Sequence, residues 1–115
     1  MERLTGRRLL VVGAGTQASE DPDAPPGNGR AIAVQASLEG ADVACADIDE
    51  GAALRTVELV SAAGGRAVAV AGDAADPDDC AAMVSSALAE LGGLDAIAVN
   101  VGIGVGAGLA GTSVE

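Results

Sequence analysis

Leu9 to Gly29 reads LLVVGAGTQASEDPDAPPGNG, and the reading of this stretch decides the fold. Four apolar residues, Leu9 to Val12, run into Gly13. A short apolar run bounded by glycine suits a parallel strand covered on both faces. Two glycine fingerprints then compete. In one, Gly13-x-Gly15-x-x-Ala18 is complete and a helix starts near Thr16. In the other, Gly13 ends the strand, Gly27-x-Gly29 opens the helix, and residues 16–26 are an insertion. A helix from Thr16 would meet Pro22, Pro25 and Pro26 almost at once, and an interior proline costs roughly 3 kcal/mol. Spacing decides the same way. A ribose-binding acid is expected about 20 residues beyond the glycines; Asp47 lies 18 beyond Gly29 but 29 beyond Ala18. The divided fingerprint is preferred.

Outward from this loop, strands and helices alternate. The first strand spans Arg8 to Val12. A helix follows from about Gly29 to Glu39, with Asn28 as N-cap, Gly40 as the C′ residue and Ile32, Ala33, Ala36 and Leu38 as its buried stripe. Ala41 to Asp47 is a second strand. A second helix opens near Asp49, buries Leu54, Val57, Leu59 and Val60, and ends at Gly64-Gly65. Arg66 to Ala71 is a third strand. Asp76-Pro77 is a cap followed by proline at the first helical position. The helix it opens carries Cys80, Met83, Val84, Ala87, Leu88 and Leu91 at helical spacing and stops at Gly92-Gly93. Leu94 to Asn100 is a fourth strand. The order β-α-β-α-β-α-β predicts an α/β fold: the N-terminal half of a Rossmann-like, doubly wound parallel sheet with right-handed crossovers. The whole chain, residues 1–115, reads as one partial dinucleotide-binding domain with an inserted loop at 16–26.

Composition narrows the function classes. The 115 residues carry a formal charge of −11, and arginine is the only basic residue. Such a field repels nucleic acid and anionic membrane surfaces, so neither is an expected partner. No run of about 18 apolar residues is present, and the apolar run near the start is too short for a signal peptide. A cytoplasmic protein is expected. Phe, Tyr, Trp, His and Lys are all missing, so the core must be built from small aliphatic side chains and should be thin and of modest stability. Cys45 and Cys80 read as buried free thiols; a metal site would want more ligands.

The site residues follow from the loop. Gly13 lets the chain turn off the strand. Gly27 and Gly29 remove side chains where backbone approaches a pyrophosphate and where helix packs on strand. Gly15 and Thr16 belong to the same loop, and the helix start from Asn28 aims free N–H groups at the anion. Asp47, at the end of the second strand, can accept bonds from both ribose hydroxyls and would repel a 2′-phosphate. NAD is therefore expected over NADP. The competing reading of Asp47 is a plain cap on the next helix.

At this point the residues resemble the short-chain dehydrogenase/reductase family, over essentially the whole chain. LTGRRLLVVGAG (residues 4–15) resembles its opening strand and T-G-x-x-x-G-x-G, with Val12 in place of the usual Thr and thirteen residues between Gly13 and Gly27. GNGRAIAV (27–34) resembles G-I-G-R-A-I-A. ADID (46–49) matches the acid that sets NAD preference, with Ile48 where the family packs adenine. GDAAD (72–76) resembles a D-V segment, implying an adenine contact at Asp73 and Ala74. LDAIAVNVGIG (94–104) resembles L-D-x-L-V-N-N-A-G. Asn100 and Gly102 match that motif, whereas Val99 and Val101 depart from it; the segment, Val101 included, is implied to line the cofactor ribose.

The resemblance implies hydride transfer between NAD and an alcohol or carbonyl substrate, a small molecule, in an intact enzyme. The family's catalytic Ser and Tyr-x-x-x-Lys fall on later segments, and this chain has no Tyr or Lys. It is expected to bind nucleotide without turnover. Thr112 and Glu115 resemble a capping box, so the chain reads as continuing into a further helix; a missing C-terminal half or a homo-oligomer is the expected partner. Two other readings stay open: a non-catalytic nucleotide-binding or interaction module, and an S-adenosylmethionine methyltransferase fragment, which Asp73 and Asn100-x-Gly102 disfavour. The acidic insert reads either as a flap at the cofactor mouth or as a neutral surface insertion.

Overall fold

A computed structural model describes residues 3–15 and 28–100. The predictions for Thr16, Gly27, Val101 and Gly102, for the insert and for the capping box lie outside them. Within them, the predicted alternation is observed: β1 (Arg8–Val12), α1 (Asn28–Leu38), β2 (Asp42–Asp47), α2 (Glu50–Ala62), β3 (Arg66–Ala71), α3 (Pro77–Leu91) and β4 (Ala96–Val99). The four strands form one parallel sheet in the order β3-β2-β1-β4. This is a Rossmann-like arrangement.

Parallel strands need helices on both faces, and here α3 covers one face while α1 and α2 cover the other. Leu10, Val12, Ala44, Ala46 and Val70 point one way and pack under Met83, Ala87 and Leu91 of α3. Val11, Val43 and Cys45 point the other way, against Ala33 and Ala36 of α1. Capping follows the sequence. The Asp49 carboxylate accepts the Ala52 N–H ahead of α2. Asp76 accepts from Asp78 and Asp79 ahead of α3, with Pro77 at its first position. Gly40, at φ +100°, donates its N–H to the Ser37 carbonyl and turns the chain out of α1.

The buried stripes differ from those read by bulk. On α1 the buried residues are Gly29, Ala33, Ala36 and Ser37, while Ile32 and Leu38 are exposed. On α2 they are Ala52, Ala53, Thr56 and Val60; Leu54 and Leu59 are exposed and Val57 is only partly buried. On α3, Leu88 is exposed and Val84 and Cys80 are half-buried. The physical reason is close approach: α1 and α2 lie on the sheet mainly through small side chains, with Val60 the largest of those buried, and the leucines and Ile32 are left at the flanks. Asn28 is already the first residue of α1 and not its N-cap. β4 is shorter than expected at both ends.

Among the described residues no helix is long and apolar enough to cross a membrane. Cys45 is buried and free, as expected, whereas Cys80 is half-buried. Burial pushes the Cys45 thiol from 9.0 up to about 12, because the thiolate would lose its water. In that range the native state keeps a proton that the unfolded chain releases, so stability is lost as pH rises. With His, Lys and Tyr missing, few other side chain types compete with the Cys45 thiol in that range. Urea unfolding followed from pH 9 to 12 should lose up to about 1.4 kcal/mol per pH unit. The Cys45→Ala variant should show a much flatter alkaline limb.

Candidate nucleotide site

The parallel register carries the ends of all four strands to one edge of the sheet. Val12 pairs with Ala46 on one side and with Val99 on the other, and Asp47 pairs with Ala71. Gly13–Gly15, Asp47–Ile48, Asp73–Ala74 and Asn100 therefore emerge together at the carboxyl ends. This is where ligands bind in open α/β sheets, at the point where strand order reverses, between β1 and β4.

Gly13 sits at φ +82°, a conformation that side chains rarely adopt. Its N–H and that of Ala14 both reach the Ala46 carbonyl, at 2.8 and 2.9 Å. Helix α1 then crosses directly over this turn. A Cβ on Gly29 would stand 1.7 Å from the Gly13 carbonyl oxygen, a backbone atom that cannot swing aside. Gly29 thus belongs to the same unit as Gly13, as the divided fingerprint requires. The start of α1 also differs from those of α2 and α3. Those helices carry Glu50, and Asp78 with Asp79, in their first turns, whereas α1 has no acid there. Its partial positive charge is left without a counter-charge from its own first turn.

Asp47 is held by backbone on both oxygens. Its Oδ2 accepts the Gly15 N–H at 2.9 Å and its Oδ1 accepts the Asp49 N–H at 3.0 Å. The residue that caps α2 is Asp49, so Asp47 is not spent as a helix cap. A carboxylate has about four lone-pair positions, and two remain for other donors. Ile48 beside it is 71% exposed, an apolar surface at the mouth.

Asp73 turns inward on its own loop. Its Oδ1 accepts the Ala75 N–H, its N–H donates to Asp79 Oδ2, and its carbonyl accepts the Asp76 N–H. Ala74 packs on the core, and its carbonyl accepts the Cys80 S–H at 3.1 Å. Asn100 continues the β1 ladder through its N–H to the Val12 carbonyl at 2.8 Å.

Two residues went unread in the sequence. Thr56 is fully buried within α2. Its hydroxyl donates to the Ala14 carbonyl at 2.8 Å and accepts the Arg30 Nε–H at 2.9 Å. Arg30 also reaches the Ala52 carbonyl through Nη2 at 3.3 Å. The available signal was a threonine one turn after Ala52, on a face of small residues, which the larger Leu54, Val57 and Leu59 mask in a reading by bulk.

Fold and site together define a Rossmann-type half-domain, with glycines and an acid at a sheet switch point. A family model described as enoyl-(acyl carrier protein) reductase matches residues 25–115. The L-rhamnose 1-dehydrogenase (NAD(P)(+)) of a Sphingomonas strain is 38% identical over 104 residues, which are 90% of this chain and 37% of that protein. A short-chain dehydrogenase/reductase structure from Burkholderia xenovorans superposes with a TM-score of 0.81 at 36% identity, covering 96% of this chain and 42% of that one. A 7α-hydroxysteroid dehydrogenase complexed with NADH and 7-oxo glycochenodeoxycholic acid superposes with a TM-score of 0.73 at 29% identity, covering 83% of this chain and 33% of that one. The chain belongs to the short-chain dehydrogenase/reductase family of oxidoreductases. It spans about a third to two-fifths of the length of these relatives.

The Gly13–Gly29 contact gives a direct test. Gly29→Ala must push α1 off the turn, and overpacking of this kind costs about 3 kcal/mol or more when backbone has to move. Thermal unfolding should show a large drop in Tm or no cooperative transition.

Proposed function

We propose that this chain is the NAD-binding N-terminal portion of a short-chain oxidoreductase. The observation that carries the reading is Asp47: a carboxylate fixed by two backbone N–H groups at the sheet switch point, with acceptor positions left over. The residues fit the group. The turn at Gly13 and the side-chain-free crossing at Gly29 admit a pyrophosphate near the start of α1. Asp47 would take the two ribose hydroxyls, and the exposed Ile48 would cover one face of the adenine. Asp73 and Asn100 border the same edge. When bound, NAD supplies the hydride acceptor or donor for a carbonyl or alcohol carbon.

What these residues do is bind and orient. A 2′-phosphate would bring negative charge against the Asp47 carboxylate, so NAD is favoured over NADP. The chain has no Tyr, Lys or His, and proton transfer in the reaction belongs to residues of a longer protein. The chain by itself binds without turnover, and a small-molecule alcohol or carbonyl compound is the substrate of the complete enzyme. The absence of acid from the first turn of α1 favours this reading over a general interaction module.

Calorimetric titration with NAD, NADP and ADP-ribose tests it. NAD and ADP-ribose should bind saturably and NADP at least about tenfold more weakly. Asp47→Asn should weaken NAD by about tenfold and narrow the gap to NADP. A folded sample that binds none of them at millimolar concentration excludes the reading.

A further inference from the structure

The amide linking Ala14 to Gly15 is gripped at both ends. Its carbonyl accepts the Thr56 hydroxyl at 2.8 Å, and its N–H donates to Asp47 Oδ2 at 2.9 Å. One rigid peptide plane thus joins the interior of α2 to the acid at the end of β2.

The direction of the chain of bonds is set by chemistry. Arg30 has donors and no acceptor, so at 2.9 Å its Nε–H must take a lone pair of Thr56 Oγ1. The hydroxyl proton is then left for a carbonyl. Two are in reach, Ala14 at 2.8 Å and Ala52 at 3.3 Å, and the shorter bond is the one to Ala14. A polarised relay results, running from the Arg30 cation through the Thr56 hydroxyl and the Ala14–Gly15 peptide to the Asp47 anion. Each bond strengthens the next, and the relay is out of water at Thr56, where competition is weakest. Turning the peptide over would lose both bonds and set the Ala14 carbonyl against the Asp47 carboxylate, oxygen to oxygen.

We infer that Thr56 and Arg30 are positioning residues for the ribose-recognising acid: they fix the Ala14–Gly15 peptide so that Asp47 presents its carboxylate in one orientation. Neither residue needs to touch the nucleotide. A hydroxyl buried in the middle of a helix is otherwise a poor choice for core packing, because valine has the same shape and nothing to satisfy. That the relay serves nucleotide recognition rests on the reading of the previous subsection; that it holds the peptide does not.

Amide hydrogen exchange of Gly15, measured by NMR on the full chain and referred to the Val70 amide of β3 to remove global effects, reads the relay directly. Thr56→Val should raise the relative Gly15 rate by about tenfold or more, whereas Thr56→Ser should stay within about threefold of wild type. Arg30→Leu, which leaves Thr56 in place, should give a several-fold rise and serves if Thr56→Val does not fold. In an Asp47→Asn background, Thr56→Val should add little, because the two substitutions break one chain. A relative Gly15 rate unchanged in both Thr56→Val and Arg30→Leu, or full additivity with Asp47→Asn, overturns the inference. ADP-ribose affinity is measured on the same samples. It should fall about tenfold in Thr56→Val and recover in Thr56→Ser. Wild type that fails to bind defeats the nucleotide reading, while the exchange rates still decide the relay; binding that is unmoved by Thr56→Val shows that the relay does not serve recognition.

Discussion

Helix α1 meets the turn after β1 backbone to backbone, with no side chain between Gly29 and the Gly13 carbonyl. Most of the rest depends on that crossing. It sets how close α1 sits to the sheet, and that closeness in turn demands alanines at positions 33 and 36 against Val11, Val43 and Cys45. It also leaves the start of α1 beside the strand ends. A glycine turn with a helix crossing it is thus a packing device before it is a binding device, and the two uses reinforce each other: whatever lets backbone approach backbone also lets a phosphate approach backbone.

The thin core has consequences at the sheet margin. On the α3 face, Leu10 and Val12 are sealed by Met83, but their register partners Ile97 and Val99 on β4 stand 48% and 70% exposed. An apolar cleft of about 230 Å³ runs between α3 and β4. Among the described residues, the α3 face is covered over β1 to β3 and open over β4. The opposite edge, β3, has polar neighbours: Arg66 pairs with Asp42 at 2.9 Å, an exposed contact that contributes little to stability.

The fold was legible because alternation and punctuation agree. Asp76-Pro77 opens α3, Gly92 closes it, and DVACAD can be little else than a buried strand. Proline placement and the count to Asp47 both point to a helix opening near Gly29, and α1 does start at Asn28; the insert itself lies outside the described residues. The buried faces were legible in part: Ala33, Ala36, Val60, Met83, Ala87 and Leu91 are buried as expected, but the large side chains beside them are not. Periodicity weights bulk and so points to Ile32, Leu54 and Leu59, whereas the sheet selects for small size where helices approach closely. The same bias hid Thr56, whose role depends on a partner 42 positions away, the Ala14 carbonyl. A hydrogen bond between a helix interior and a distant loop leaves no periodic trace. Asp47 was placed correctly at the strand end, but its two backbone donors are set by the paths of Gly15 and Asp49, which only the folded chain defines.

A core assembled without a single aromatic ring has an optical consequence. The chain has no Trp, Tyr or Phe and no disulfide between its cysteines, so its near-ultraviolet spectrum is almost empty. An adenine ring held against Ile48 would be the dominant chromophore there, in an asymmetric setting. Circular dichroism or absorbance in that region would then report the bound base alone, free of the protein background that obscures it in most nucleotide-binding proteins.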